Sequence, residues 1–246
     1  MVDKEVLQDA LNSIPRVPLA NVPTPLEECL RLSDHLDGCR IFVKRDDCTG
    51  LAFGGNKARH SEYLMGDAKN KGCDVYINVM QWHSNNARMT AAACNKIGMR
   101  YIVVLRDALG REFQGNMLLD HLLGAEMHFL EDVDLDTSTN YGRELADKLQ
   151  LEGHIPYLVP DQEVTYFSGV IAYVQAALEI ANQVEALGLS KIHIVGVAGR
   201  SLGGLALAAK NLNLPWKFTG IVVMDNPTID QYLFRPGVLD KPADLL

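Results

Sequence analysis

The sequence predicts an α/β fold with parallel sheets flanked by helices, and three observations carry that prediction. Short β-branched runs alternate with longer helical patterns along the chain; there are too few such units to close an eight-fold barrel; and 246 residues suffice for one large domain or two modest ones. Parallel strands need crossover helices between them, and doubly wound sheets place their sites at the C-terminal ends of the strands. The N-terminal part reads as an extended arm, because Pro15, Pro18, Pro23 and Pro25 restrict the backbone and remove donors. Strands follow at RIFVKR (40–45), DVYINV (74–79), YIVVLR (101–106), AEMHFL (125–130), IPYLVP (155–160), KIHIVGV (191–197) and FTGIVV (218–223). Helices are expected between them at 56–71, 84–97, 112–123, 139–151, 168–187 and 203–212, and the Asp-rich DVDLDTST (132–139) reads as a surface loop opening a helix. No internal repeat or low-complexity tract interrupts the pattern.

Hydrophobic residues at 48% and charged ones at 22% are ordinary globular values. A net charge of -8 argues against a nucleic-acid or anionic-membrane surface, either of which needs a local Lys/Arg excess. The 5 cysteines are odd in number and show neither C-x-x-C nor a metal-ligand spacing, so reduced thiols and no metal are expected. The N-terminus lacks the charged start and apolar run of a signal peptide, and no run approaches the ~18 apolar residues of a membrane span. A cytoplasmic chain is the expectation.

Two short stretches carry chemistry. GVAGRSLGG (196–204) fits G-x-S-x-G through Gly199, Ser201 and Gly203, the turn that presents a hydrolase's nucleophile. In α/β-hydrolases the base follows the serine along the chain, however, and all 7 histidines precede Ser201. A dinucleotide site with Asp225 as the ribose acid fails on the glycine spacing, since 196, 199, 203 and 204 do not make G-x-G-x-x-G. There remain a phosphate cup of glycine N–H groups and the Ser201 hydroxyl at a helix start, and a tight turn that holds nothing. In the second stretch, KRDDCTGLAFGGNKAR (44–59), Gly54 and Gly55 make a turn, Asn56 can cap, and Lys57 falls in the first helical turn. The helix dipole disfavours a cation there, so the amine loses its proton more readily, as a Schiff-base lysine must; a plain surface lysine fits the same pattern.

The run RDDCTGLAFGGNKAR resembles the segment carrying the cofactor lysine in the pyridoxal-phosphate enzymes of the D-cysteine desulfhydrase and 1-aminocyclopropane-1-carboxylate deaminase family, which includes cysteate sulfo-lyases. PTPLEE (23–28), RLSDHL (31–36), SNNARMTAAA (84–93), GNMLLDHLLGAEMHF (115–129) and YVQAALEIANQ (173–183) resemble stretches of that family in the same order. The resemblance covers almost the whole chain. It implies a two-domain fold of the tryptophan-synthase β-like type (fold type II): a larger cofactor-binding domain from 1–48 plus 162–246 and a smaller α/β domain from 49–161. It implies pyridoxal 5'-phosphate on Lys57, with the phosphate held by Gly199, Ser201, Gly203 and Gly204. Ser84 and Asn85 match positions whose hydroxyl and amide reach the substrate and the cofactor's ring hydroxyl, and Asn86 falls beside them. Ser84 also fits a plain N-cap. The implied chemistry is a lyase or deaminase acting on a small amino acid: Lys57 shuttles the α-proton and, in the desulfhydrase-like case, sulfide, pyruvate and ammonia leave. A homodimer is implied as well; the alternative is a degenerate member that binds a phosphate ligand or partner without turnover.

The sequence departs from the family pattern at several places. Gln-Ser-Asn-His is replaced by His83, Ser84, Asn85 and Asn86; Gly-Gly-Ser is replaced by Asp161, Gln162 and Glu163; and bulky NVMQWH leads into Ser84. Acidic side chains at 161 and 163 are expected to repel a substrate carboxylate. Family members also continue beyond the point matching Leu246, with the partner of the pyridine nitrogen there. Weak cofactor binding, slow turnover and an exposed sheet edge or apolar patch near strand 218–223 are therefore expected of this chain.

Overall fold

The computed structural model describes residues 2–107, 110 and 112–223; Asp225 and the proline-containing tail after it lie outside the described residues. The chain divides into two compact units. The first comprises Met1–Ile14, Ala20–Arg59 and the chain from Tyr166 onward; the second comprises Pro15–Leu19 and His60–Thr165. The chain crosses between them at 59/60 and 165/166, where the sequence reading placed its boundaries at 48/49 and 161/162, so Lys57 shares a unit with the glycine turn at 199–204.

The first unit opens with α1 (Lys4–Ser13), a helix ahead of the prolines where an extended arm is expected; it is held by Leu7 and Leu11, one turn apart on one face and both buried. Short strands β1 (Leu26–Glu28) and β2 (Phe42–Lys44) pair antiparallel around α2 (Leu30–His35). Two 3-10 turns, Asp46–Thr49 and Leu51–Phe53, lead to α3 (Lys57–Asn70), whose later residues belong to the second unit.

The second unit is a parallel sheet of β3 (Val75–Gln81), β4 (Arg100–Arg106), β5 (Glu126–Leu130) and β6 (Pro156–Leu158), in the order β5-β4-β3-β6. The order doubles back, as in a doubly wound sheet, and α4 (Asn85–Ile97), α5 (Gly115–Leu122) and α6 (Leu135–Leu151) make the crossovers. Val75, Ile77, Ile102 and Leu158 form a core with Ala146 and Leu149 of α6. On the opposite face Tyr157, Tyr76 and Tyr101 lie in register across three strands, with Tyr76 and Tyr157 stacked at 5.1 Å. With both faces covered, β3 and β4 carry continuous buried runs rather than alternation, with Asn78 the polar exception in β3. Helix α6 begins inside the Asp-rich segment, earlier than the expected 139, because the Asp134 side chain accepts from the Thr137 N–H at 2.7 Å and caps it. The Pro-rich piece Pro15–Leu19 is clamped by buried Glu62, which accepts from the Leu19 N–H at 2.7 Å and from Arg16 at 2.8 Å.

The chain returns to the first unit along α7 (Val164–Ala186), followed by β7 (His193–Val197), α8 (Arg200–Asn211) and β8 (Lys217–Ile221). Helix α7 is long and apolar enough, by length and composition, to cross a membrane, but most of it is buried inside the protein, as in a core helix. Strands β7 and β8 pair in parallel, and Leu202 of α8 packs under Gly196 and Gly220. The other face leaves Val195, Val197 and Ile221 exposed, beside exposed Val222 and Val223.

Candidate active site

The turn before Lys57 is built from backbone that side chains rarely adopt. Gly50, Ala52, Phe53, Gly54 and Gly55 all have positive φ, and a Cβ on Gly54 would stand 1.8 Å from the Asp47 carbonyl oxygen. Buried Thr49 cinches the turn: its hydroxyl accepts from the Gly55 N–H at 2.8 Å and lies 3.0 Å from the carbonyl oxygens of Asp46 and Gly55. Lys57 emerges as the first residue of α3 and is half-buried. Burial and then the nearby positive charge of Arg200 lower the pKa of its amine, which favours the neutral, nucleophilic form.

Arg200 is the first residue of α8, and the glycine turn surrounds it. Gly199 is the N-cap, extended and with no side-chain capping bond, so the first-turn N–H groups are not taken by their own cap. A Cβ on Gly199 would meet nothing nearer than 4.0 Å. Gly204 differs: a Cβ there would lie 2.3 Å from the Val170 carbonyl oxygen and 2.8 Å from Tyr173 Cβ, so this glycine lets α8 cross α7 closely. The hydroxyl of Ser201 contacts that of Tyr173. An amine disposed to lose its proton, beside an uncapped helix start with a hydroxyl, fits a ligand bearing an aldehyde and a phosphate.

Behind these groups lies a buried ionic network that the sequence reading missed. Arg59, two residues beyond Lys57, is 3% exposed and donates to both Asp46, at 2.9 and 3.0 Å, and Glu179, at 2.7 and 3.0 Å. Tyr173 donates to Asp46 at 2.5 Å, Thr24 donates to it at 2.8 Å, and Lys44 pairs with Glu179 at 3.0 Å. Burial raises the pKa of both carboxyls, but the hydrogen bonds and charge of Arg59, helped by Tyr173 and Thr24 at Asp46 and by Lys44 at Glu179, outweigh it and hold both below the ordinary range. Asp46 and Arg59 flank the Lys57 turn in sequence, but nothing local in the pattern marks Glu179 or Tyr173 as their partners.

The remaining predicted residues gather in the second unit, at the start of α4. Ser84 is the N-cap, its Oγ accepting from the N–H groups of Asn86 and Ala87 at 3.1 and 3.3 Å. Asn85 is exposed, and its Oδ1 accepts from Asn116 at 2.9 Å. Asn86 is half-buried, and its Oδ1 is buried with no hydrogen-bond partner among the described residues. Asp161 does not stand as a bare negative charge, because Arg143 binds it bidentately at 2.6 and 3.1 Å, and Gln162 bonds Lys71 at 2.8 Å. Lys57, Gly199, Ser201, Gly203 and Gly204 thus fall in the first unit and Ser84, Asn85 and Asn86 in the second.

Comparison with known proteins agrees with the geometry. The chain is 39% identical over 213 residues to a putative 1-aminocyclopropane-1-carboxylate deaminase of Pyrococcus horikoshii, covering 87% of this chain and 64% of that protein. It is 38% identical over 224 residues to D-cysteine desulfhydrase of Klebsiella pneumoniae, covering 87% of this chain and 66% of that one. The chain therefore spans about two-thirds of the length of these relatives. The crystal structure of an ACC deaminase homologue superposes with a TM-score of 0.84 at 35% identity, over 100% of this chain and 73% of the other. Residues 17–242 match the family described as pyridoxal-phosphate dependent enzyme. That match covers most of the chain, and we conclude that the chain belongs to the pyridoxal-phosphate dependent enzymes.

Proposed function

We propose that the chain acts on a small amino acid as a pyridoxal-phosphate dependent deaminase or carbon–sulfur lyase. The observation that carries this reading is the half-buried Lys57 amine, its pKa lowered, beside the uncapped start of α8. When bound, the cofactor supplies an electron sink for the pair released at the substrate's Cα. Lys57 would hold the cofactor through its amine and would carry the substrate's α-proton. Gly199 and the Ser201 hydroxyl are assigned to the phosphate at the open start of α8, while Gly203, whose N–H bonds the Gly199 carbonyl oxygen at 2.9 Å, and Gly204, which packs against α7, shape that helix start; Asn85 is assigned to the ring hydroxyl, and Ser84 with Asn86 to the substrate. Compensation of Asp161 by Arg143 supports acceptance of a carboxylate-bearing substrate despite the acidic residues there. A homodimer in the cytoplasm, bound to neither nucleic acid nor membrane, completes the proposal.

The test is an absorbance titration with pyridoxal 5'-phosphate, followed by release of pyruvate, 2-oxobutyrate and sulfide across a panel of D- and L-amino acids. A visible band with the wild-type chain, its loss in Lys57→Ala, and product from at least one panel member are expected. The same band in both proteins would remove Lys57 from its assigned role.

A further inference from the structure

Asn116, on α5, lies in the GNMLLDHLLGAEMHF stretch without a role assigned to it there, and its amide is tied to the start of α4. Its Nδ2 lies 2.8 Å from the main-chain oxygen of His83 and 2.9 Å from Oδ1 of Asn85. A carbonyl oxygen has no hydrogen to give, so the Asn116 atom facing His83 must be the amide nitrogen. That nitrogen carries two hydrogens and accepts nothing, so the Asn85 atom it meets must be the oxygen. Heavy-atom positions alone leave an asparagine amide ambiguous between its two flips. Here the His83 carbonyl resolves it, through Asn116, and Nδ2 of Asn85 becomes the end turned away. Ser84 does not compete for Asn85, because its Oγ is occupied by the N–H groups of Asn86 and Ala87.

We infer that Asn116 is a positioning residue: by donating to Asn85 Oδ1 it holds the Asn85 NH2 as a fixed donor toward an acceptor oxygen, the ring oxygen of the cofactor. The inference rests on the assignment of Asn85 to that oxygen. The oxygen is an acceptor when ionised, so a fixed donor binds it and a flipped amide would present oxygen to oxygen. A purely structural asparagine would stabilise α4 against α5 and leave cofactor affinity alone.

Three variants and a double variant separate these roles, each titrated with pyridoxal 5'-phosphate by absorbance and by protein fluorescence, with melting of the cofactor-free protein followed in parallel. Asn116→Asp keeps the shape but cannot donate, so Asn85 turns its NH2 to the new carboxylate and its oxygen to the ligand. Cofactor affinity is expected to fall about tenfold or more, with a shifted visible band. Asn116→Ala frees the Asn85 amide and is expected to cost a few-fold; it carries the test if Asn116→Asp fails to fold. In an Asn85→Ala background either substitution is expected to change affinity by less than about twofold, because the group being positioned is gone. Wild-type affinity and band in Asn116→Asp, alongside weakened binding in Asn85→Ala, overturn the inference. So does an equal loss with and without Asn85. If Asn85→Ala itself binds as well as wild type, the assignment of Asn85 to the cofactor fails first and the inference with it.

Discussion

Lys57 combines two features that disfavour its charge, burial and the guanidinium of Arg200. With the folded pKa lowered, the neutral amine reaches a given fraction at lower pH than an ordinary lysine would allow. Arg200→Gln removes one of the two causes, so the pH profile for formation of the visible cofactor band is expected to move to higher pH. A profile unchanged from wild type would show that Arg200 does not act on Lys57. The two glycines at the start of α8 make a second contrast. Gly204→Ala places a methyl against backbone at 2.3 Å and is expected to cost about 1–3 kcal/mol in urea unfolding. Gly199→Ala meets open space and an extended backbone, so stability is expected to stay within about 0.5 kcal/mol. Any loss of cofactor affinity in Gly199→Ala is then a ligand effect, which a titration on the same sample reads directly.

Between elements, Arg59 is the tie that joins the base of α3 to the turn at Asp46 and to α7 at Glu179. Both carboxyls have folded pKa values below their ordinary ones. They therefore contribute stability that is present above the unfolded values and lost as pH falls through the folded ones. Arg59→Met leaves two half-buried carboxylates without their main partner and is expected to cost about 3 kcal/mol near pH 7, the low end for a broken buried pair. In that variant burial prevails and the carboxyl pKa values rise, so acidification protonates them and relieves the penalty. Urea unfolding between pH 7 and pH 4 should show the deficit narrowing as pH falls; a constant deficit would mean the loss is packing rather than charge.

For the molecule as a whole, the exposed valines of β7 and β8 set the surface chemistry of the first unit. Val195 is 63% and Val197 56% exposed, so neither contributes much to the core, and both add to an apolar patch of the kind that promotes association. The double variant V195E/V197E is expected to keep the wild-type melting temperature within a few degrees while lowering concentration-dependent light scattering and dye binding. Scattering equal to wild type would show that this face takes no part in self-association.

The alternation of runs was enough to place every strand but β1, and the helices from α3 onward, within a few residues, because apolar periodicity follows directly from which face is covered. The turn at Gly54 and Gly55 and the helix start at Lys57 were legible for a related reason: positive φ and helix polarity act on the residues that carry them. Helix α1 was not legible, since only Leu7 and Leu11 mark its face and the prolines behind it dominate the local pattern. Nor were the partners of Arg59, the alliance of Tyr173 with Ser201, or the hold of Asn116 on Asn85. Arg59 to Glu179 and Asn85 to Asn116 are contacts between segments far apart in the chain. Sequence alone determined the strands and helices from β2 onward and which lysine heads a strained turn. Tertiary structure decided which distant polar groups meet, because hydrogen bonds and buried charges are selected by position in space, and no local pattern records that position.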